Sequence, residues 1–78
     1  MIMYVIEDTD GNLFSGFQEI MGEQLMTNLV PEWSDFETGP DKVMLYPEMS
    51  VVRQVRGKLS SEYDITTNCL PIEIGFHK

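Results

Sequence analysis

The stretch Ile2-Met3-Tyr4-Val5-Ile6-Glu7-Asp8-Thr9-Asp10-Gly11-Asn12-Leu13-Phe14-Ser15-Gly16-Phe17 decides the fold of this chain. Two runs rich in β-branched and aromatic side chains flank Thr9-Asp10-Gly11-Asn12, and Asp-Gly tolerates the positive φ angles that tight hairpin turns demand. The pattern predicts a β-hairpin with Ile2, Tyr4 and Ile6 on one face and Leu13 or Phe14 opposite, according to register. An antiparallel pair at the start makes the rest of the chain a question of what extends and covers a sheet.

Working outward, Gln18 to Val30 has two readings. Met21, Leu25, Met26 and Leu29 fit a short amphipathic helix weakened by Gly22 and ended by Pro31, while continuation of the second strand into an irregular loop fits as well. Pro31 to Asp41 reads as a loop, with two prolines, a glycine and several acids. Lys42 to Tyr46 is expected as a short strand bounded by Asp41 and Pro47. Pro47 suits the first turn of a helix, and Glu48 complements the helix dipole there. Met49, Val52, Val55 and Leu59 form the apolar stripe of that helix, Gly57 is a mild flaw in it, and Arg53, Arg56 and Lys58 are left to the solvent side. Leu70, Ile72, Ile74 and Phe76 alternate with Pro71, Glu73 and Gly75, a half-buried strand whose proline belongs at an edge or a strand start. The order β-β-(short helix or loop)-β-α-β predicts an α+β fold: a small, mainly antiparallel four-stranded sheet with one helix packed on one face. Residues 1–78 are read as a single domain, near the lower limit for a self-sufficient core.

Charge is the second signal. The formal charge of −8 divides into −9 over residues 1–41, which hold no Lys or Arg, and +1 over the remainder. A fold does not require such segregation, but a field of one sign selects partners of the other and speeds their encounter. The 42% apolar content is enough for a globular chain, so the acidity does not imply disorder.

Catalytic chemistry finds little support. The only histidine, His77, is penultimate, where a precisely held base is not expected, and Cys69 has no other imidazole partner. Cys69 is expected to be a small buried hydrophobe, and a lone cysteine forms no intramolecular disulfide. Asp8, Asp10, Asn12 and Glu19 superficially follow a calcium loop, but Leu13 stands where that loop needs glycine, so a hairpin turn is the better reading. One Cys and one His are too few for a structural zinc site, the sequence has no Gly-rich phosphate loop, and no carboxylate pair is singled out for glycoside hydrolysis. A non-catalytic protein without cofactor or metal is expected. The opening Met1 to Ile6 run is too short for a membrane span and lacks a basic n-region, so a cytoplasmic protein is expected.

The candidate site is a binding surface. In Glu32-Trp33-Ser34-Asp35-Phe36-Glu37 two large aromatics interleave with carboxylates, a pattern suited to anchoring and steering a basic partner. With Asp41 and the hairpin-tip acids Glu7, Asp8 and Asp10, these residues form the expected partner-binding set. Trp33 and Phe36 have a second reading, in which they fold back to close one end of a small core. Direct nucleic-acid binding is disfavoured, because phosphates repel the acidic half and Arg53, Arg56 and Lys58 are too few for a footprint.

Tyr4-Val5-Ile6 leading to Asp10-Gly11, the Trp33 loop, a short strand, a helix and the alternating Leu70 to Phe76 strand together resemble short acidic phage-encoded accessory proteins. That group includes anti-CRISPR and other inhibitors of host machinery, some of them DNA mimics. The resemblance implies a protein-binding inhibitor whose carboxylates replace phosphates in a basic, nucleic-acid-binding groove of a host protein, in the host cytoplasm. The near-neutral second half confines any mimicry to one face. Two alternatives stand beside this: a small assembly subunit, with a homodimer formed through the sheet edge or the basic helix face, and an immunity protein or antitoxin against a basic nuclease.

Overall fold

The computed structural model describes residues 1–21 and 27–75. They form four strands and one helix in the order β1 (Ile2–Asp8), β2 (Leu13–Met21), β3 (Thr27–Ser34), α1 (Met49–Tyr63) and β4 (Thr67–Glu73). All pairings are antiparallel and the sheet order is β3-β2-β1-β4, an α+β fold with the helix across one face.

The opening hairpin forms where the sequence places it. Asp8 organises the turn: its Oδ1 accepts the backbone N–H of Asp10 (2.9 Å) and of Asn12 (2.8 Å). Gly11 takes φ +87°, the left-handed geometry that glycine adopts without penalty. Beyond Glu7↔Leu13, however, the two strands part. Residues 44–46 fill the fork. Met44 N–H donates to Phe14 O (3.0 Å), and Tyr46 and Tyr4 exchange a pair of backbone hydrogen bonds of 2.8 and 2.9 Å. On β2 the register shifts between Phe14 and Gly16, and Gly16 takes φ +108° with the Met44 side chain 3.9 Å from where a Cβ would stand. The expected Lys42 to Tyr46 strand is therefore a wedge that makes one isolated bridge, Tyr4↔Tyr46. It is short because Pro47, with no N–H, cannot extend the pairing. The amides of Met44 and Tyr46 are expected to exchange slowly with solvent, as in a core strand. Hydrogen exchange at rates typical of an open loop would show that the fork is not closed.

Two further expectations change. Gln18 to Met21 continue β2 and Thr27 to Val30 begin β3, so strand pairing, not the amphipathic helix, takes the described part of residues 18–30, and Gly22, Leu25 and Met26 lie outside the described residues. Pro31, expected to open a loop, sits inside β3 opposite Phe17. An edge strand accommodates it because its missing N–H can face away from the ladder. Pro71 obeys the same rule on the other edge. Tyr4 faces Pro71 across β1/β4 but gives both its N–H and C=O to Tyr46, so the pair needs no hydrogen bond from proline.

The helix begins two residues later than a proline at its first position suggests. Glu48 is the N-cap, extended at φ −121° and ψ 131° without a side-chain cap bond, and Pro47 precedes it. The helix ends on Asp64 in the left-handed region (φ 55°), with Asp64 N–H to Ser60 O (3.2 Å) and Ile65 N–H to Leu59 O (3.0 Å). That is the reciprocal closure typical of helix C-termini.

Helix and wedge create two apolar clusters. Under the helix, Val52 and Leu59 pack with Ile6, Phe14 and Tyr46, supported by Met49, Val55, Trp33 and Cys69. On the opposite face lie Val5, Leu13 and Val43, with Ile72 against them. The helix thus covers the Cys69 face of β4, and Leu70 and Ile72, expected beneath it, point to the other side. Cys69 is half-buried. Ile2 is exposed, so only Tyr4 and Ile6 of its expected face reach the helix-side core. Phe76 and His77 lie outside the described residues.

Candidate functional site

In an antiparallel sheet the end of β1, the start of β2, the end of β3 and the start of β4 all lie at the same end. Topology alone therefore brings the hairpin tip, the turn after Ser34 and the α1–β4 connection together. Two open grooves mark this end. The first, about 400 Å³, is bordered by Glu7, Asp35 and Glu37 and floored by Phe36, Leu70 and Ile72. It continues the apolar cluster on the face away from α1. The second, about 390 Å³, is lined by Asp8, Asp10, Asp64 and Trp33 and borders the helix-side cluster. Among the described residues, no Lys or Arg lines either groove. Among the described residues, the ion pair that forms is Lys58–Glu62 on the helix, at 3.8 Å, so no described cation pairs with the carboxylates of this end.

Two of the acids are held rigidly. Asp35 Oδ1 accepts Glu37 N–H (2.9 Å), Thr38 N–H (2.6 Å) and the Thr38 hydroxyl (2.8 Å). The backbone bond from Thr38 and then its hydroxyl hold the Asp35 carboxyl below its ordinary value of 3.8 against the opposing effect of desolvation, with a lesser contribution from Glu37 N–H. Asp8 is similarly occupied by its own turn, and its second oxygen accepts Asn12 Nδ2 at 3.2 Å. Because the folded-state pKa of Asp35 is depressed, the stability its turn contributes is complete above 3.8 and is lost as pH falls through the lower folded value. In an NMR pH titration the Thr38 amide is expected to move with a midpoint below 3.8; a midpoint above that value would contradict the bonding.

The expected partner-binding residues divide. Glu7, Asp35, Phe36 and Glu37 border the first groove, and Asp8, Asp10 and Trp33 the second. Glu32 and Asp41 are exposed but line neither. The two aromatics take different roles: Trp33 is half-buried with its ring edge-on to Phe14 at 5.6 Å, closing the core, while Phe36 remains 43% exposed. Asp64 escaped sequence reading because it belongs to the near-neutral half. The available signal was the end of the helical stripe, since aspartate tolerates the left-handed cap.

The basic helix face is less available than expected. Arg56 is half-buried, with Nε on Thr67 Oγ1 (3.2 Å) and Nη2 on Thr67 O (2.7 Å), and so is tied to the buried first residue of β4. Lys58 stands 4.9 Å from the centre of the Phe17 ring. Arg53 stays exposed. Among the described residues no three carboxylate, thiol or imidazole groups gather as a metal site requires, and no helix is long and apolar enough to cross a membrane. Compared with protein-family models, with curated proteins and with solved structures, the chain finds no match in any of the three.

Proposed function

We propose that the chain is a non-catalytic inhibitor that docks its acidic end into a basic, nucleic-acid-binding groove of another protein. One observation carries this reading: Glu7, Asp8, Asp10, Asp35, Glu37 and Asp64, from three separate segments of the chain, meet around two grooves that no cation of the described residues lines. Such an end attracts a basic surface, and Asp8 and Asp35, fixed by their turns, lose little freedom on binding. Duplex DNA presents a charge about every 1.7 Å of axis, whereas alternate residues of a strand lie roughly 6.6 Å apart on one face. The acidic end therefore substitutes for a short run of phosphates, and its target is a local groove.

The experiment is affinity capture from lysate followed by titration of the recovered partner in rising salt. Binding should weaken steeply between about 50 and about 300 mM, where the screening length shrinks from roughly 14 to roughly 6 Å, and short DNA or RNA should compete. A complex indifferent to both salt and nucleic acid would sink the reading.

A second reading has its own observation. The outer half of the β2–β3 hairpin exposes Ile20, Met21 and Leu29, and the molecule is elongated at 51 × 23 × 21 Å. An apolar arm of this kind favours an assembly subunit that self-associates. Sedimentation decides: a tight oligomer lost in Met21→Lys and Leu29→Lys supports assembly, and a monomer removes it.

A further inference from the structure

We propose that the groove on the face away from α1 receives an arginine side chain of the basic partner, with its aliphatic stem on Leu70 and Ile72 and its guanidinium over Phe36 between Glu7 and Glu37. This rests on the reading of the acidic end as a surface for a basic protein and names what that protein inserts. Carboxylates alone would attract any cation. What sets this groove apart is its apolar floor: Leu70, on a sheet face that α1 leaves uncovered, is 39% exposed, and Phe36, in the turn after β3, is 43% exposed. A ligand that satisfies both parts must be apolar along its length and cationic at its tip, as long basic side chains are.

Arginine fits better than lysine for three reasons. Its planar guanidinium stacks on an aromatic face, is more weakly hydrated than an ammonium, and presents a fork of donors to carboxylates. The acceptors are in place. Asp35 is locked through Oδ1, leaving Oδ2 without a hydrogen bond among the described residues. Glu7 sits on β1, pinned between Leu13 and Asn68, and Glu37 follows the Asp35 turn. A groove of about 400 Å³ lies at the lower end of small-ligand sites, roughly 300–1,000 Å³. It accommodates a side chain or two and not a polymer backbone. The second groove is the more polar: Asp8, Asp10, Asp64, Thr9 and Thr66 line it, with Trp33 and Ile65 as its apolar residues.

The test is an NMR titration of the isotope-labelled full chain with capped glycine peptides bearing a central arginine, lysine or norleucine. The arginine peptide should shift the amides of Phe36, Leu70 and Ile72, with lysine about fivefold weaker or more, and norleucine silent. Phe36→Ala should weaken the arginine peptide on the order of tenfold while the lysine peptide changes less. Phe36 is exposed, so this variant should fold. Leu70→Thr, which keeps strand propensity, is the second variant and should also weaken arginine binding. Equal affinity for arginine and lysine, unaffected by Phe36→Ala and Leu70→Thr, would overturn the pocket while leaving the acidic-end reading intact. Absence of any shift with all three peptides would overturn it as well. The acidic-end reading fails separately, by salt-insensitive capture of the intact partner.

Discussion

Phe14→Ala is expected to cost about 3–5 kcal/mol and bring the chain close to its unfolding threshold. Phe14 is 1% exposed and lies at the centre of the helix-side cluster. Its ring meets Phe17 at 5.1 Å and 72° and Trp33 at 5.6 Å and 66°, edge-on geometries that contribute beyond burial. Its backbone carbonyl also accepts Met44 N–H, so a collapse at this position loosens the wedge between β1 and β2. A domain of this length has a total stability of roughly 4–12 kcal/mol, and the loss is a large share of that. Urea denaturation followed by circular dichroism reads the effect directly. Phe36→Ala is the internal control, since an exposed ring should cost no more than about 0.5 kcal/mol. A Phe14→Ala variant that melted within about 4 °C of the parent, the shift expected from about 1 kcal/mol, would mean that the core is not built around this ring.

Local chemistry carried the sequence reading wherever a signal was self-contained. Asp10-Gly11 marked a turn because few residues reach positive φ, and the Met49-Val52-Val55-Leu59 stripe marked a helix because only that period places all four side chains under one face. The α+β class followed from those two elements and the final alternation, whereas the count of four strands was reached with Lys42 to Tyr46 in the place that β3 (Thr27–Ser34) takes. Non-local chemistry was out of reach. Pro31 looks like a breaker until its strand is known to be an edge. Tyr46 looks like part of a strand until β1 and β2 are seen to part beyond Glu7↔Leu13. The face of β4 was misjudged because Cys69 and Leu70 are both apolar, so alternation alone leaves two choices. Of the site, the residues were legible as acids and aromatics, but their gathering was not. It depends on antiparallel pairing that places Asp8, Ser34 and Thr67 at one end. Asp64 enters only through that pairing.

The combined variant Glu7→Gln/Asp10→Asn/Glu37→Gln should slow association with a basic partner by roughly 10- to 1,000-fold at low salt and flatten the salt dependence. The choice of residues follows from what each acid does in the free molecule. Asp8 and Asp35 are excluded because their carboxylates organise turns, so neutralising them would confound binding with folding. Asp64 is excluded because it holds the helix C-cap at φ 55°. Glu7, Asp10 and Glu37 have no ion pair among the described residues, and the amide replacements match them in shape. Removing three like charges also relieves repulsion, so the variant should be at least as stable as the parent in dilute buffer. A drop in stability would mean that one of these carboxylates has a structural partner and that its binding result cannot be interpreted as charge. With stability preserved, the dissociation rate should change less than the association rate, because long-range attraction acts mainly on encounter. Stopped-flow or surface-plasmon measurement of both rates separates the two. Unchanged association at low salt would remove the acidic end from the binding process and leave the apolar β2–β3 arm, with Ile20, Met21 and Leu29, as the surface on which function must be sought.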